Sequence, residues 1–409
     1  MKKIKVFLIL LLFFIFLVNV FAISLDSKII KKSSYSTNQK NNFENKIDIN
    51  ILEQFNSGKE KVKVIIKLKD EVEEKVDLLS RAKLKVSKGE FIRNLNIENR
   101  VKHKFIYSNA FSAELTKEEI ENIIKDDKVE KIYYDFPVYA FLQDSTNIIN
   151  ATSSWNLQVN DINLTGKGQT VCIIDTGIDY NHSDLGGCYG EGCKVIGGYD
   201  FVNNDTDPMD DNEHGTHVAG IVAASGKIYG VAPDANLVAI KALDASGSGD
   251  FSDVVAGIEW CVSNASIFNI SVISMSLGTK YPYLFNNYCD ENDTLTAQSI
   301  NLALSKNISV VIATGNDGYY NAISFPACIY NSTRVTSTNK EDTNISYFAN
   351  TWNDSSKIIL AAPGENINST EVGSDYIEMS GTSMATPPCF RSNCNNKTIF
   401  SINKQNNDI

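Results

Sequence analysis

Apolar and polar positions change their spacing partway along this chain. From Val62 to Leu68 apolar residues alternate with lysines, which predicts a strand covered on one face. Helical spacing follows over residues 80 to 97, and Lys104 to Leu115 reads as a second strand region. Thr116-Lys117-Glu118-Glu119 is a capping box, with Thr116 as N-cap and Glu119 reaching back, and it opens a short helix through Ile123 and Ile124. Val129 to Tyr134 gives a further strand. So short an alternation of strands and helices suits a small ferredoxin-like α+β domain.

Beyond Trp155 the alternation gives way to unbroken apolar runs: Thr170-Val171-Cys172-Ile173-Ile174, Leu237-Val238-Ala239-Ile240, Val272 to Met275 and Val310 to Ala313. Helical stretches at 253 to 263 and 294 to 306 lie between them. Runs without alternation belong to strands covered on both faces, so this part is predicted as α/β, a mainly parallel sheet flanked by helices. Catalytic groups in such a sheet gather at the carboxyl ends of the strands.

The chain opens Met1-Lys2-Lys3-Ile4-Lys5, followed by an apolar run from Val6 to Ile23 broken only by Asn19, with the small-residue site Val20-Phe21-Ala22 at its end. This pattern predicts a signal peptide over residues 1–22 and work outside the cytoplasm; left uncleaved, the run would anchor the protein at the outer cell surface. Residues 24 to 50, rich in Lys, Ser and Asn, read as a flexible lead. The formal net charge is −11 with a pI near 5.0, which argues against nucleic acid as the main partner. Eight cysteines fit an oxidising compartment. The most local pair, Cys188 and Cys193, brackets a glycine-rich loop and is expected as a disulfide, since no second ligand pair completes a zinc set there. Cys172, inside an apolar run, is expected to be a buried small hydrophobe.

Three segments carry the chemistry. Asp175-Thr176-Gly177 follows the first buried run, His214-Gly215-Thr216-His217 opens a helical stretch, and Gly381-Thr382-Ser383-Met384-Ala385 comes late in the chain. A serine hydroxyl needs an imidazole to take its proton, and the imidazole needs a carboxylate to fix its tautomer. Taken singly, the aspartate caps a turn, the histidines bind metal, or the serine caps a helix. Together, Asp-Thr-Gly, His-Gly-Thr-His-Val-Ala-Gly and Gly-Thr-Ser-Met-Ala-Thr-Pro in this order resemble the subtilases, the subtilisin-like serine endopeptidases, over about residues 155 to 387. A fainter similarity to the subtilase propeptide covers about 55 to 142.

The resemblance implies that Asp175 orients the imidazole, His214 is general base and then acid, and Ser383 attacks the peptide carbonyl. It makes His217 structural and Asn316 the oxyanion donor. It also implies that Gly247-Ser248-Gly249 and Ser276-Leu277-Gly278 flank a polypeptide substrate bound as an added strand, with an apolar or aromatic residue expected in the first pocket. The expected organisation is signal peptide 1–22, flexible lead 23–54, inhibitory and folding-assisting propeptide 55–145, catalytic domain 146–387 and a polar tail 388–409. The chemistry needs no cofactor. Asp205, Asp207 and Asp210 concentrate hard oxygen ligands before His214, where a structural calcium ion and a solvated acidic loop both fit. Glu213 stands where the family often has a small residue, and it is expected to raise the pKa of His214. The sequons at Asn163, Asn264 and Asn331 reflect an Asn-rich chain, and Asn181, beside the Asp175 turn, is a poor place for a glycan.

After Pro387 the sequence departs from that pattern. Pro388-Cys389-Phe390-Arg391-Ser392-Asn393-Cys394 offers no apolar stripe where the family continues as a buried helix beginning His-Val. Dropping one base from a synonymous coding of these residues yields His-Val-Ser-Gly-Leu-Ile-Ala. A one-base insertion near the Pro387 and Pro388 codons is therefore expected, leaving the catalytic fold incomplete. As written, the chain would then be an inactive product that only binds other proteins. Sequencing codons 386 to 390 and expressing both frames tests this: the restored frame should mature and the printed one should not, and maturation of the printed chain overturns the expectation.

Overall fold

The computed structural model describes residues 46–69, 78–140, 155, 158–159, 162–340, 343–354 and 356–388. The expected signal peptide, most of the expected lead and the residues beyond 388 lie outside them. Residues 46–54, expected in the flexible lead, are ordered instead. Ile47 bridges to Ile132, the Asp48 carboxylate accepts from the Asn50 N–H, and helix α1 (Ile49–Asn56) buries Ile51. The N-cap, buried Ile51 and the partly buried Leu52 and Phe55 hold it to the sheet.

The N-terminal unit continues with β1 (Lys61–Leu68), α2 (Leu78–Asn94), β2 (Val101–Lys104), β3 (Ala110–Thr116), α3 (Lys117–Ile123) and β4 (Val129–Tyr134). The order β2-β3-β1-β4, antiparallel throughout, is the ferredoxin-like arrangement. The capping box forms as expected, with Glu119 N–H donating to Thr116 Oγ1 and Thr116 N–H to the Glu119 carboxylate. The strand region expected over 104 to 115 is divided by a turn at 105–109. Buried Lys88 donates to the carbonyls of Phe105 and Ser108, and the Glu259 carboxylate accepts from the Ile106 and Tyr107 N–H groups. A turn held by groups so distant in sequence leaves no local signature.

Next come strand β5 (Pro137–Ala140) and a short hairpin of β6 (Gln158–Val159) and β7 (Ile162–Asn163). The main unit is built on β8 (Thr170–Asp175), β9 (Val195–Asp200), helix α4 (His214–Ala223), β10 (Asn236–Lys241), β11 (Ser248–Asp250), helix α5 (Phe251–Phe268), β12 (Ile270–Met275), β13 (Leu277–Gly278) and β14 (Leu284–Phe285). It is completed by helix α6 (Thr294–Ser305), β15 (Ser309–Ala313), β16 (Ile323–Ser324), β17 (Thr333–Thr338), β18 (Leu360–Pro363), the hairpin β19 (Ile367–Glu371) and β20 (Asp375–Met379), and the short helix α7 (Thr382–Ala385).

Seven strands pair in parallel in the order β18-β17-β15-β12-β8-β10-β9. Both faces are covered. Cys172, Ile174, Val238, Ile240, Val310 and Ile312 pack toward α5 and α6, while Val171, Ile173, Leu237, Ala239 and Val311 pack toward α4 and α7. The unbroken apolar runs thus serve two cores at once. Strand β17 escapes a reading by hydrophobicity because its buried Thr336 satisfies its hydroxyl on the Asn350 carbonyl.

Cys188 and Cys193 form the expected disulfide. Cys172 does not remain a free hydrophobe, because its side chain faces α5 and is bonded to Cys261 across a separation of 89 residues. Closing so long a loop removes about 4–5 kcal/mol of unfolded-state entropy. Cys289–Cys328 is a third bridge.

The two units meet across a charged seam. Lys63 and Lys102 contact Asp250, Lys102 and His103 contact Asp253, and Asp135 accepts the Ser252 N–H in the first turn of α5. Burial pushes the Asp135 carboxyl up to about 7, with Asp250 adding to the rise and the Ser252 N–H opposing it. Once undocked, Asp135 returns to the ordinary carboxylate range, so the docked form holds an extra proton between that range and pH 7. The Asp135 contribution to docking should be greatest in acid and fall away as pH rises to about 7. The affinity of the severed N-terminal unit for the main unit, measured from pH 4 to 8, should show this slope, and Asp135→Asn should flatten it.

Candidate active site

Asp175 is the last residue of β8, and Thr176 and Gly177 turn the chain away from the sheet. Gly177 has φ +109°, and a Cβ there would lie 2.6 Å from the Pro208 carbonyl oxygen. Helix α4 begins at His214 directly beside this turn. A Cβ on Gly215 would lie 2.1 Å from the Gly177 carbonyl oxygen, so the helix approaches the turn only because residue 215 has no side chain. In this position His214 Nδ1 lies 2.6 Å from Asp175 Oδ1, with both side chains wholly buried. Asp175 Oδ1 also accepts the Thr176 N–H.

Asp210 holds turn and helix together. Its Oδ1 accepts from Thr176 Oγ1, Asn212 N and Glu213 N, and its Oδ2 from Thr216 N and Thr216 Oγ1. Thr176 Oγ1 in turn accepts the Gly215 N–H at 2.8 Å. The three carboxylates for which calcium and a solvated loop were both expected are engaged within the chain. Asp210 faces inward and is saturated, Asp207 accepts from the Tyr180 hydroxyl, and Asp205 accepts the Asp207 N–H. Among the described residues no group of three or more His, Cys, Asp or Glu could hold a metal ion.

His217 is neutral and structural in its surroundings: its Nε2 lies 3.0 Å and 3.1 Å from the Ile367 and Ile377 carbonyls of the β19–β20 hairpin. Burial pushes its pKa down to about 3, and the adjacent His214 adds to that. Buried Lys241 donates to the Thr176 and Leu243 carbonyls and pairs with Asp211, tying the ends of β8 and β10.

Ser383 lies in α7, whose Met384 and Ala385 share a core with Val218 and Val222 of α4. Its hydroxyl donates to the Ser276 carbonyl at 2.9 Å, and the Ser276 hydroxyl donates to the Ser383 carbonyl at 3.0 Å. Asn316 follows β15 after Gly315, where φ is +105° and a Cβ would meet Ser324 Oγ at 2.2 Å. Its Oδ1 accepts from Thr382 N and Thr382 Oγ1, which fixes the amide orientation, and its buried Nδ2 donates to no group of the described chain. Thr382 is thus a positioning residue that the sequence reading missed, as are Thr176, Thr216 and Asp210. Only the short spacing of Thr176 and Thr216 from the triad positions hinted at them.

Strand β5 lies antiparallel between two segments of the main unit. Tyr139 faces Ser248, Val138 faces Gly249, Ala140 faces Leu277 and Tyr139 faces Gly278. Gly247, at φ +71°, turns the chain into β11. The segments expected to flank a substrate therefore flank a strand of the chain itself.

Residues 166–388 match the model of the subtilase family, and residues 57–141 match that of the peptidase inhibitor I9 family. The chain belongs to the subtilase family. It is 41% identical over 233 residues to the thermophilic serine proteinase of Bacillus sp. (strain AK1), covering 56% of this chain and 51% of that protein. It is 34% identical over 328 residues to the serine protease AprX of Bacillus subtilis (strain 168), covering 71% of this chain and 70% of the relative. Thermitase of Thermoactinomyces vulgaris is 38% identical over 255 residues, with 61% and 80% covered. The chain spans about half the length of the first of these.

The shared subtilase motifs leave Asp210 as the connection between the aspartate turn and the histidine helix. Replacing it with Ala would leave several buried donors unpaired, at about 1–3 kcal/mol each. Asp210→Ala should therefore lower the unfolding free energy by at least about 3 kcal/mol in urea titration.

Proposed function

We propose that the chain is the zymogen of an exported subtilisin-like serine endopeptidase, with Asp175, His214 and Ser383 as its triad and residues 55–145 as a self-cleaved inhibitory propeptide. The observation that carries this reading is the insertion of β5 between β11 and β13, beside Ser383. Main-chain pairing of this kind accepts many sequences, as an endopeptidase requires.

In this mechanism Asp175 accepts the Nδ1–H of His214 and leaves Nε2 as the base. The Ser383 hydroxyl turns from the Ser276 carbonyl toward Nε2, gives up its proton and attacks the peptide carbonyl. Asn316 Nδ2–H and the Ser383 N–H hold the developing oxyanion. His214 then protonates the leaving amine, and water repeats the sequence on the acyl-enzyme. Loss of the Asn316 donor should cost about 10²–10³ in kcat. Glu213, in the left-handed region at φ +98°, precedes His214. Burial raises its own pKa, Glu371 and Asp210 add to that, and His214 opposes it.

Export rests on the signal segment, which lies outside the described residues; among those residues no helix is long and apolar enough to cross a membrane. Ser383, His214 and Asp175 are wholly buried in the uncut chain, as latency requires.

The processing site of this reading lies beyond the paired segment, between about Phe141 and Thr152. Ala140 faces Leu277, and the neighbouring Ser276 carbonyl holds the Ser383 hydroxyl. N-terminal sequencing of the matured protein, expressed in the frame the gene holds, should give a start between about Phe141 and Thr152, and Ser383→Ala should stay uncut. The same mature N-terminus from Ser383→Ala in a protease-free host would exclude self-processing. A fluorophosphonate probe that fails to label the folded, processed protein would favour the non-catalytic binding product.

A further inference from the structure

We infer that the main unit carries a second anchoring site for polypeptide substrates, an aromatic seat formed by Tyr283, Phe325 and Phe251 that takes an aromatic side chain from the residue just before the stretch paired with β11. The inference rests on the protease reading and on the pairing of β5. In the uncut chain the seat is filled by Phe136. Its ring centroid lies 4.9 Å from that of Tyr283, edge to face at 69°, and 6.3 Å from that of Phe325. Phe325 packs at 4.5 Å on Phe251, and both are buried, while Tyr283 is half-buried.

The main chain fixes which residue reaches the seat. Pro137 faces Asp250 in the β5–β11 pairing, and the Phe136 carbonyl accepts the Phe251 N–H at 2.9 Å. A substrate strand making the same bonds delivers its own residue to the same place. Nearer the cut, Val138 is fully buried, and the Tyr139 ring lies under the Lys280 ammonium at 4.6 Å. Tyr134 also touches Phe136, at 5.0 Å, but it belongs to the N-terminal unit and leaves with it. The seat then loses one wall and gains room for Tyr or Trp. Removing the N-terminal unit wets the apolar ring faces that Phe136 covered, so an aromatic residue arriving with a substrate gains both burial and ring geometry.

The test compares two heptapeptide substrates on the matured protein, Asp-Phe-Pro-Val-Tyr-Ala-Phe and its Asp-Ala-Pro-Val-Tyr-Ala-Phe counterpart, each extended past the cut. The Phe form should show about tenfold higher kcat/KM. Tyr283→Ala should reduce that ratio to about one, whereas Tyr283→Phe, which keeps the ring, should preserve it. Affinities of the two cut peptides, measured by calorimetry, should differ by a similar factor. Equal kcat/KM and equal affinities, or a ratio that survives Tyr283→Ala, overturn the seat. A protein that binds the Phe peptide more tightly yet cuts neither substrate keeps the seat and overturns the protease reading, so the two failures are distinct.

Discussion

The arrangement of this site depends on one buried carboxylate. Asp210 takes hydrogen bonds from the turn after β8 and from the first turn of α4, so the strand that presents Asp175 and the helix that presents His214 move as one piece. A buried anion is costly unless its lone pairs are filled, and here they are filled by backbone N–H groups and threonine hydroxyls. The glycines at 177 and 215 make the approach close enough for those bonds to form. The second half of the site is held by the same economy of means, with Thr382 fixing the Asn316 amide and Ser276 exchanging hydrogen bonds with Ser383.

The seating of the N-terminal unit rests on an equally simple constraint. Strands β11 and β13 present edges to a gap beside Ser383, and unpaired strand edges attract any extended chain. Segment 137–140 fills the gap with the polarity of a substrate, while Asp135 and Phe136 extend the contact onto the start of α5. Docking therefore combines main-chain pairing, aromatic packing and a seam of charges. Within that seam burial pushes the Asp135 carboxyl up to about 7. The contact that guides binding of the chain to itself is built from the same parts that would receive a substrate.

Much of this was legible beforehand because its causes are local. Unbroken apolar runs announce strands covered on both faces, glycine-flanked turns at their ends announce presented side chains, and the capping box at Thr116 sits within a four-residue window. Residues 175, 214 and 383 stand out in such turns, whereas Asn316 and the segments that flank β5 were named through the family resemblance.

Tertiary structure decided the rest. Asp210 looked like a metal ligand because its neighbours in sequence are acidic, yet its partners lie at Thr176 and Thr216, and the inward turn of its side chain removes it from that group. Cys172 looked like an ordinary core residue because its partner Cys261 is 89 positions away on α5. The aromatic seat joins Phe136, Phe251, Tyr283 and Phe325, which no window of sequence contains together. By itself the sequence determined which residue types stand at the strand ends, since backbone preference and hydrophobic period act over a few residues. Which side chains face one another across the sheet depends on strand order, and only the folded chain fixes that.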